Sequence, residues 1–427
     1  MKENLTEHSY CSVSLPITMD NESTKTAAGL IEGAQPAVYP IPRIPMAPIL
    51  SAETLSRSKE CAIPAIDEHP NLLDVTSGRV AIALALLNAG IGNGDEVLVP
   101  AYHCLSMVEP IRFVGATPRF YSLHPDLSAN YTSIDSSINS RCKALILTHY
   151  FGFAQSTIPA RKFCDDNRII LIEDCAHTFF GVRDNIAIGS LGDYVIASTM
   201  KFFPVYDGGI LASSHQSLRT LSRSNNKKLF EIKAFMTVLE RSTSYKRFGV
   251  PGKLLNLTSK LKDSIWSGIK SMRIDNAPLT IGPDSADGGF HLDPAWLHAP
   301  ASAISRYIVN HADRNRLIER RRNNYRRLLH LINNIPRCRP LYPDLPDNTV
   351  PLVFPFDVDH ADNVADMLRR KGLPLWRFGE YLDPELDTNL CPIANEYSRR
   401  LLQIPCHQEL NETDMSWLIT TLQDFFE

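Results

Sequence analysis

Short apolar runs that alternate with helix-like stretches constrain the fold of this chain more than any other feature. The runs are EVLVP, TPRFYSL, KALILTHYF, RIILIED, YVIAST and GILASS. Several are apolar at successive positions, which is typical of strands covered on both faces of a parallel sheet. Just before the first run, Arg79–Ala89 is apolar almost all round, which predicts a buried helix. The sequence therefore predicts an α/β domain with a mostly parallel sheet, whose ligands bind at the carboxyl ends of the strands.

The rest of the pattern divides the chain into three predicted parts. Residues 1–60 end in the proline-rich stretch QPAVYPIPRIPMAPIL, which predicts an extended N-terminal arm, with a flexible tail as the alternative. Residues 61–310 form the predicted large domain, with a basic helical insertion at about 215–280. Residues 311–427 are expected to complete one long basic helix, SRYIVNHADRNRLIERRRNNYRRLLHLI, that links to a smaller α/β domain. That domain is expected to end in a helix that follows the N-cap Asn411.

Composition and charge narrow the class of protein. The formal net charge of −3 offers no overall case for binding to nucleic acid or to a membrane. The nine cysteines include no CxxC pair, so we expect neither a disulfide framework nor a zinc site. The N-terminus lacks the apolar core of a signal peptide, and no apolar run has the length of a membrane span. We therefore expect a cytoplasmic protein without a bound metal.

The chemistry is suggested by a strand that ends in acids and a lysine that follows it. The apolar run LIED ends at Glu173 and Asp174, and Lys201 lies in the apolar stretch STMKFFPV. A carboxylate at the end of a strand, beside a lysine from a later loop, is typical of pyridoxal-5′-phosphate (PLP) sites, where it keeps the pyridine nitrogen protonated. Desolvation would lower the pKa of this lysine, which binds the PLP aldehyde and moves the substrate proton. The alternative is a surface lysine and a structural aspartate.

The order and spacing of these residues resemble the DegT-type sugar aminotransferase family, of which this chain would be a divergent member. The matching positions are Ile172, Glu173, Asp174, Ala176, His177, Gly189, Gly192, Asp193, Lys201, Gly208 and Gly209. Further similarity lies in SGRVAIALALLNAGIGNGDEVLVPAY, in HYFG and in the C-terminal LLQIPCHQELNETDMSWLI. The resemblance implies PLP fold type I: a large domain with a mostly parallel mixed sheet flanked by helices, and a smaller C-terminal α/β domain.

The resemblance also implies a set of cofactor-binding residues. Lys201 would hold PLP, Asp174 would pair with the ring nitrogen, and His177 would lie near the phenolic oxygen. Residues that would bind the phosphate are Ser77, Gly78 and Arg79, which open the buried helix, and Ser198. Arg79 stands where many relatives have a small hydroxyl residue, and a surface arginine is its alternative interpretation.

Relatives usually stack an aromatic side chain on the PLP ring at a position that is Cys104 here. Tyr102 or His103 is therefore a candidate for ring stacking, and the alternatives are a core tyrosine and a hydrogen-bonded structural histidine. For the substrate, the resemblance suggests His291, in a segment that reaches a neighbouring subunit, together with Trp376 and Arg377. The alternative for the last two is a half-buried tryptophan and a surface arginine. A homodimer is expected from the architecture of the family.

The function implied by the resemblance is transfer of an amino group from an amino acid, glutamate being expected, to a keto-sugar nucleotide. The lysine at position 201 favours transamination, because relatives that dehydrate or deoxygenate sugars carry histidine there. The alternative is a PLP enzyme that acts on a non-sugar carbonyl substrate in natural-product or polysaccharide-associated metabolism. A non-catalytic scaffold is the third hypothesis, and the presence of both Asp174 and Lys201 speaks against it.

The basic insertion has the pattern of an amphipathic helix. Apolar residues recur at three- or four-residue steps from Leu254 to Met272, with Trp266 beside them and lysines between them. Three interpretations remain open. The helix packs on the body of the protein, it contacts an anionic membrane surface, or it forms a basic lid that attracts a negatively charged substrate.

Overall fold

A mixed sheet of seven strands is the main element of the computed structural model, which describes residues 39–55, 61–218, 221, 224–247, 282–283, 289 and 291–427. The strands of the first half of the chain are β1 (Leu72–Val75), β2 (Glu96–Pro100), β3 (Thr117–Tyr121), β4 (Cys142–Thr148), β5 (Ile170–Asp174), β6 (Val182–Arg183), β7 (Ile186–Ala187), β8 (Tyr194–Ala197) and β9 (Gly209–Ala212). The sheet has the order β1-β9-β8-β5-β4-β2-β3, and β6 and β7 form a separate hairpin.

The direction of the strands confirms the predicted fold class. Strands β3, β2, β4, β5 and β8 pair in parallel, whereas β9 runs antiparallel to its neighbours β8 and β1. Each apolar run of the sequence overlaps one of these strands, and β2 coincides with EVLVP. Strand β1 was not predicted, because LLDV is only four residues long and mixes apolar and acidic residues.

Helices connect the strands. They are α1 (Gly78–Asn88), α2 (Leu105–Phe113), α3 (Tyr131–Ser137) and α4 (Ile158–Asn167). Every residue of α1 from Arg79 to Leu86 is buried, which confirms the buried helix. Its apolar surface contacts β8 and β9 as well as α2, so burial on several sides explains why the helix is apolar almost all round.

A second, antiparallel sheet lies in the C-terminal part. Its strands are β10 (Cys338–Pro340), β11 (Val353–Val358) and β12 (Leu401–Pro405). The helices of this half of the chain are α5 (Lys228–Ser244), α6 (Ala303–His311), α7 (Arg314–Ile332), α8 (Ala361–Arg370), α9 (Pro392–Arg400) and α10 (Glu412–Phe426). A hydrophobic core of its own joins this sheet to the C-terminal half of α7, to α8 and to α10. The predicted smaller α/β unit is therefore present, while the boundaries at residues 60 and 310 stay a prediction.

The ends of two helices test the sequence analysis directly. The prediction of one long basic helix is wrong, because the chain is extended at Ala312 and a new helix begins after Asp313, whose side chain accepts from the Arg316 amide. The N-cap at Asn411 is confirmed. Asn411 and Asp414 form a capping box at the start of α10, so two backbone N–H groups at this end are hydrogen-bonded.

Part of the proline-rich stretch packs against the rest of the protein. Residues 40–50 contain no helix or strand, yet Ile44 and Ile49 are buried. The Arg43 amide donates to the Gly372 carbonyl at 2.9 Å, and His407 Nε2 donates to the Pro45 carbonyl at 2.9 Å. This part of the predicted arm is therefore tied to the C-terminal third of the chain.

Helix α5 is the described part of the predicted insertion. It buries Phe230, Ala234 and Val238 on one face, and the Phe230 ring lies 4.7 Å from that of Trp296. The amphipathic pattern between Leu254 and Met272 lies outside the described residues.

Two further observations concern the described residues as a whole. The eight cysteines in this part of the chain are free thiols. No helix in the same ranges is both long enough and apolar enough to cross a membrane.

Candidate active site

Most of the predicted cofactor-binding residues line one cavity at the carboxyl ends of the parallel strands. Its volume is about 760 Å³. The predicted residues in its wall are Ser77, Gly78, Arg79, Asp174, His177, Ser198, Lys201 and Trp376. They come from the start of α1, the end of β5, the loop after β8 and the segment before α9, so the chain topology brings distant positions together.

Asp174 is the last residue of β5 and is buried in the cavity wall. Its Oδ1 accepts from the Ala176 amide at 2.9 Å, and the Thr148 hydroxyl donates to its Oδ2 at 3.5 Å. Burial raises the pKa of Asp174, although the Ala176 amide and the charge of Lys201 act in the opposite direction. A buried carboxylate of this kind is stabilised by a cation that enters the cavity.

Lys201 ends a 3₁₀ turn, Thr199–Lys201, that directly follows β8. Burial lowers the pKa of the Lys201 amine below its ordinary value; the neighbouring Cys104 and Asp174 oppose the shift, and Arg79 adds to it. A lower pKa leaves a larger fraction of the amine neutral, which is the form that attacks a carbonyl group. The alternative of a surface lysine is wrong, because Lys201 lies in the wall of the cavity.

The start of α1 forms another wall. Ser77 is the N-cap, and its hydroxyl accepts from the Val80 amide at 3.3 Å. Because the first N–H groups of a helix lack partners within the helix, this end suits an anionic group. Arg79 is nearly buried beside it, so the alternative of a surface arginine is wrong. The Arg79 guanidinium donates to the Ser106 hydroxyl at 3.1 Å and to the His291 carbonyl at 2.7 Å.

His177 is buried in an aromatic environment. Its ring lies 4.7 Å from the ring of Phe378 and 5.5 Å from that of Phe151, and its Nδ1 accepts from the Phe151 amide at 3.5 Å. Burial and the charge of Lys201 lower the pKa of His177 well below its ordinary value. The imidazole is therefore neutral at physiological pH and can donate one hydrogen bond into the cavity.

Tyr102 and His103 do not line the cavity, so neither candidate for ring stacking lies there in this structure. The Tyr102 hydroxyl donates to the Phe378 carbonyl at 2.6 Å. His103 Nδ1 donates to the Ala101 carbonyl at 2.9 Å, and its Nε2 accepts from the Asp383 amide at 3.0 Å. Burial lowers the pKa of His103 to about 4. The alternatives of a core tyrosine and a structural histidine describe these residues.

Two of the three predicted substrate residues also point elsewhere. Trp376 lines the cavity, but the neighbouring Arg377 forms ion pairs with Asp362 and Glu380 and is only 7% exposed, so it is neither a cavity residue nor a surface arginine. The side chain of His291 lies outside this cavity and is half exposed, with its Nδ1 3.1 Å from Oε1 of Glu109.

Several residues of the cavity wall were missed by the sequence analysis. They are Pro45, Met46, Ala47, Pro48 and Ile49 of the proline-rich stretch, Arg241 and Tyr245 at the end of α5, and Met200 and Phe378. Cys104, which stands where relatives have an aromatic residue, also lines the cavity. The apolar residues between the prolines were the one available signal for the first group, since a solvated arm has no need of them.

The glycine loop of the resemblance has a structural explanation. The Glu173 carboxylate is fully buried and accepts from the amides of Gly189, Leu191 and Gly192 at 2.9, 3.0 and 2.6 Å. His149 Nε2 lies 3.3 Å from the same carboxylate. Although burial raises the pKa of Glu173, the hydrogen bonds from His149 and from the glycine amides outweigh it and lower the pKa overall. Glu173 therefore holds the loop that precedes β8, and it does not line the cavity.

Part of the chain is similar in sequence to known aminotransferases. Residues 60–261 match the model of the DegT/DnrJ/EryC1/StrS aminotransferase family. A GDP-perosamine synthase of Vibrio cholerae is 34% identical over 130 residues, which are 30% of this chain and 35% of that protein. A UDP-N-acetyl-3-dehydro-alpha-D-glucosamine 3-aminotransferase of Acidithiobacillus ferrooxidans is 28% identical over 169 residues, covering 38% and 45%. The chain thus spans less than half the length of these curated relatives.

Similarity in structure extends further along the chain. A DegT/DnrJ/EryC1/StrS aminotransferase from Brucella abortus covers 84% of this chain and 87% of its own, with a TM-score of 0.56 and 20% identity. DesV of S. venezuelae, solved in complex with a ketimine intermediate, covers 83% of this chain and 85% of its own, with a TM-score of 0.55 and 20% identity. These similarities confirm the fold of PLP aminotransferases.

Proposed function

Because residues 60–261 of the chain match the model of the DegT/DnrJ/EryC1/StrS aminotransferase family, we propose that the protein is a PLP-dependent aminotransferase of this family. It moves an amino group from an amino acid, with glutamate as the expected donor, to a keto-sugar nucleotide. The observation that carries the proposal is that Lys201 and Asp174 line one cavity at the carboxyl ends of the strands. The names of the relatives, a GDP-perosamine synthase among them, support the sugar-nucleotide substrate.

The residues of the cavity fit PLP. Asp174 is a buried carboxylate that a protonated ring nitrogen would neutralise, and Lys201 is a desolvated amine in the same cavity. The start of α1, with Ser77 and Gly78, offers N–H groups to a phosphate, and Ser198 and Arg79 lie in the same wall. When bound, PLP supplies an electron-withdrawing ring that weakens the bonds at the carbon carrying the amino group.

The protein side chains then have distinct roles. Lys201 binds the cofactor aldehyde through Nζ and afterwards carries the proton that the substrate carbon loses and regains. Asp174 keeps the ring nitrogen protonated, and the neutral His177 donates a hydrogen bond near the phenolic oxygen. Trp376, which lines the cavity, contacts the substrate. His291 acts from a neighbouring subunit on the substrate.

Chemical trapping tests the cofactor site. After incubation with PLP and reduction with sodium borohydride, we expect mass spectrometry to find the PLP label on the peptide that contains Lys201. Lys201→Ala should abolish that label. Lys162→Ala, which removes an exposed lysine on α4 outside the cavity, should leave it unchanged. A label on any other peptide of the wild-type protein would overturn the assignment of Lys201.

A substrate panel tests the reaction. The PLP-loaded protein is incubated with glutamate and with keto-sugar nucleotides, and we expect mass spectrometry to show an amino sugar nucleotide together with 2-oxoglutarate. If glutamate is converted but every sugar nucleotide stays unchanged, the proposed acceptor is wrong. The proposal of an aminotransferase would still stand in that case.

A non-sugar carbonyl compound is the second candidate acceptor. Part of the cavity wall is apolar, because Met46, Pro48, Ile49 and Val205 line it. The hydroxyl groups of a sugar need polar partners when they leave water, so an apolar wall favours a less hydroxylated substrate. Conversion of simple ketones or keto acids, with no conversion of sugar nucleotides, is the result expected from this candidate.

We also propose a homodimer with its active sites close to the interface. The family architecture supports this, and so does the position of His291, whose exposed side chain points away from the cavity of its own chain. Light scattering with activity measured across a dilution series tests it. A monomer with full activity would contradict the proposal.

A further inference from the structure

Arg321 is a fully buried arginine in the middle of α7. Its guanidinium group donates to neutral oxygens from three separate parts of the chain. The acceptors are the carbonyls of Lys201 at 3.2 Å, Phe202 at 3.4 Å, Pro351 at 3.0 Å and Leu352 at 2.9 Å, and the Gln408 side-chain oxygen at 2.8 Å. A buried charge is costly, and this one is stabilised by a ring of carbonyl dipoles.

Two further contacts hold the same turn. The guanidinium carbon of Arg321 lies 4.6 Å from the centre of the Phe202 ring, which is a cation–π distance. Gln408, which accepts from Arg321 Nε, also donates from its own Nε2 to the Phe202 carbonyl at 2.9 Å. Arg321 and Gln408 together therefore bind the backbone that directly carries Lys201.

The hydrogen bonds within the turn are weakest at Lys201 itself. The Phe203 and Phe202 amides donate to the Thr199 carbonyl at 2.9 and 3.2 Å, whereas the Lys201 amide lies 3.5 Å from the Ser198 carbonyl. Loss of the Arg321 guanidinium would remove the donor to the Lys201 carbonyl, whereas the Phe202 carbonyl would keep its hydrogen bond from Gln408. The Lys201 carbonyl would then lack a partner, and the turn would be free to shift.

We propose that Arg321 is a positioning residue for Lys201. Through its hydrogen bonds, Arg321 links the position of Lys201 in the cavity wall to the segments around Leu352 and Gln408. It does so through the Lys201 carbonyl, and it does not itself line the cavity. Only the kinetic test of this inference rests on the proposed function. The effect of Arg321 on the turn can be measured by hydrogen–deuterium exchange without any cofactor.

The neighbouring Arg322 provides a matched control. It is also nearly buried, and its Nη1 donates to the Pro346 carbonyl at 2.7 Å and to the Thr349 carbonyl at 2.6 Å, but it makes no contact with the Lys201 turn. Arg321→Met and Arg322→Met both remove a buried guanidinium from α7 together with its hydrogen bonds to backbone carbonyls. Only the first should affect the turn.

Hydrogen–deuterium exchange of the protein without added cofactor is the first measurement. In Arg321→Met we expect faster exchange in the peptide that spans residues 199–203. In Arg322→Met we expect faster exchange near residues 346–351 and no change at 199–203. Gln408→Met, which removes the other donor to the Phe202 carbonyl, should give a smaller increase at 199–203 and serves as the second variant if Arg321→Met does not fold.

Kinetics of the PLP-loaded enzyme are the second measurement. Misplacement of a reacting group by about 1 Å can cost about a hundredfold in rate, so we expect kcat of Arg321→Met to fall by about ten- to a hundredfold. The KM for the amino donor should change little, and Arg321→Lys should recover part of the rate. Arg322→Met should keep a near-normal kcat.

The two measurements separate the possible failures. If exchange at residues 199–203 is the same in Arg321→Met and in the wild type, the positioning inference is wrong whatever the activity. If exchange rises as expected but the wild-type protein neither binds PLP nor converts glutamate, the proposed function fails and the structural coupling stands. If kcat falls equally in Arg321→Met and Arg322→Met, the role of Arg321 in the reaction is refuted.

Discussion

Thr148 and Asp174 are the last residues of two neighbouring parallel strands, and the Thr148 hydroxyl donates to the Asp174 carboxylate at 3.5 Å. The pairing in register brings both side chains to the same edge of the sheet. At this distance the hydrogen bond is weak, so the carboxylate keeps most of its capacity to accept from a group inside the cavity.

The first prediction concerns the charge of Asp174. Asp174→Asn keeps the shape but removes the charge that would hold the ring nitrogen protonated. We expect the half-reaction with glutamate to slow by at least about a hundredfold, the scale of removing one preorganised electrostatic group. Stopped-flow absorbance of the PLP-loaded enzyme measures it. Thr148→Val, which removes only the weak donor, should cost far less, and near-normal turnover of Asp174→Asn would contradict the role.

The second prediction concerns Glu173 and stability. Glu173→Gln replaces one acceptor oxygen by an NH₂ group that meets the N–H of Gly189 or of Gly192, so a buried hydrogen bond is lost. We expect the free energy of unfolding to fall by about 1–3 kcal/mol, the cost of leaving a buried polar group without a partner. Urea denaturation measures it, with Glu109→Gln at a more exposed position as the control. An unchanged unfolding midpoint would show that the loop does not depend on this carboxylate.

The third prediction is a pH dependence that comes from Asp207. Burial raises the pKa of Asp207 to about 6, although Ser302 and Ser305 donate hydrogen bonds to it. The folded state therefore binds this proton more tightly than the unfolded state, in which the pKa is about 3.9. Ionisation of Asp207 lowers the stability of the wild type as pH rises from about 4 to about 6.

Asp207→Asn removes this titration. We expect the difference in free energy of unfolding between the wild type and Asp207→Asn to shift in favour of the variant as pH rises over that window. Urea denaturation at pH 4, 5, 6 and 7 measures the difference. A difference that stays constant across the four pH values would show that Asp207 has an ordinary pKa.

The fourth prediction concerns α5 and the substrate. Arg241, in the last turn of α5, is one of the cationic residues that line the cavity. If the substrate carries a phosphate or carboxylate, Arg241→Met should raise its KM by about tenfold, because a hydrogen bond to a charged group contributes about 1.5–3 kcal/mol. Added salt should reduce the difference. Lys228→Met, at the exposed start of the same helix, is the control, and equal KM values for both variants would exclude a role for Arg241 in binding.

Local patterns were enough to predict much of the fold. Strand β2 and the buried helix α1 were recognised because burial on several sides favours apolar residues at most positions. Asp174 and Lys201 became candidates because the end of a strand and an apolar environment are both visible in neighbouring residues, and the resemblance to the family then favoured their PLP roles. The crossover connections of a parallel sheet then bring such residues to the same edge.

The direction of side chains could not be predicted in the same way. His103 and Arg377 are adjacent in the sequence to residues near the site, yet their side chains bond to Asp383 and to Asp362. Those partners lie far from His103 in the sequence and fifteen residues from Arg377, so no local pattern shows them. The break at Ala312 was missed for a related reason. Both flanking stretches favour helix, and the Asp313 amide at the break donates to the carbonyl of the distant Thr54.

The sequence by itself therefore determined the alternation of strands and helices, because hydrophobic periodicity is a local property. That alternation also determined the edge of the sheet at which Asp174 and Lys201 lie. Only the tertiary structure decided which charged residues are buried and what they hold. In the sequence, Arg321 is one more basic residue of the predicted linking helix, but the fold surrounds it with carbonyl oxygens from residues as distant as Lys201. A buried charge is defined by its distant partners, and those partners are assembled only when the chain has folded.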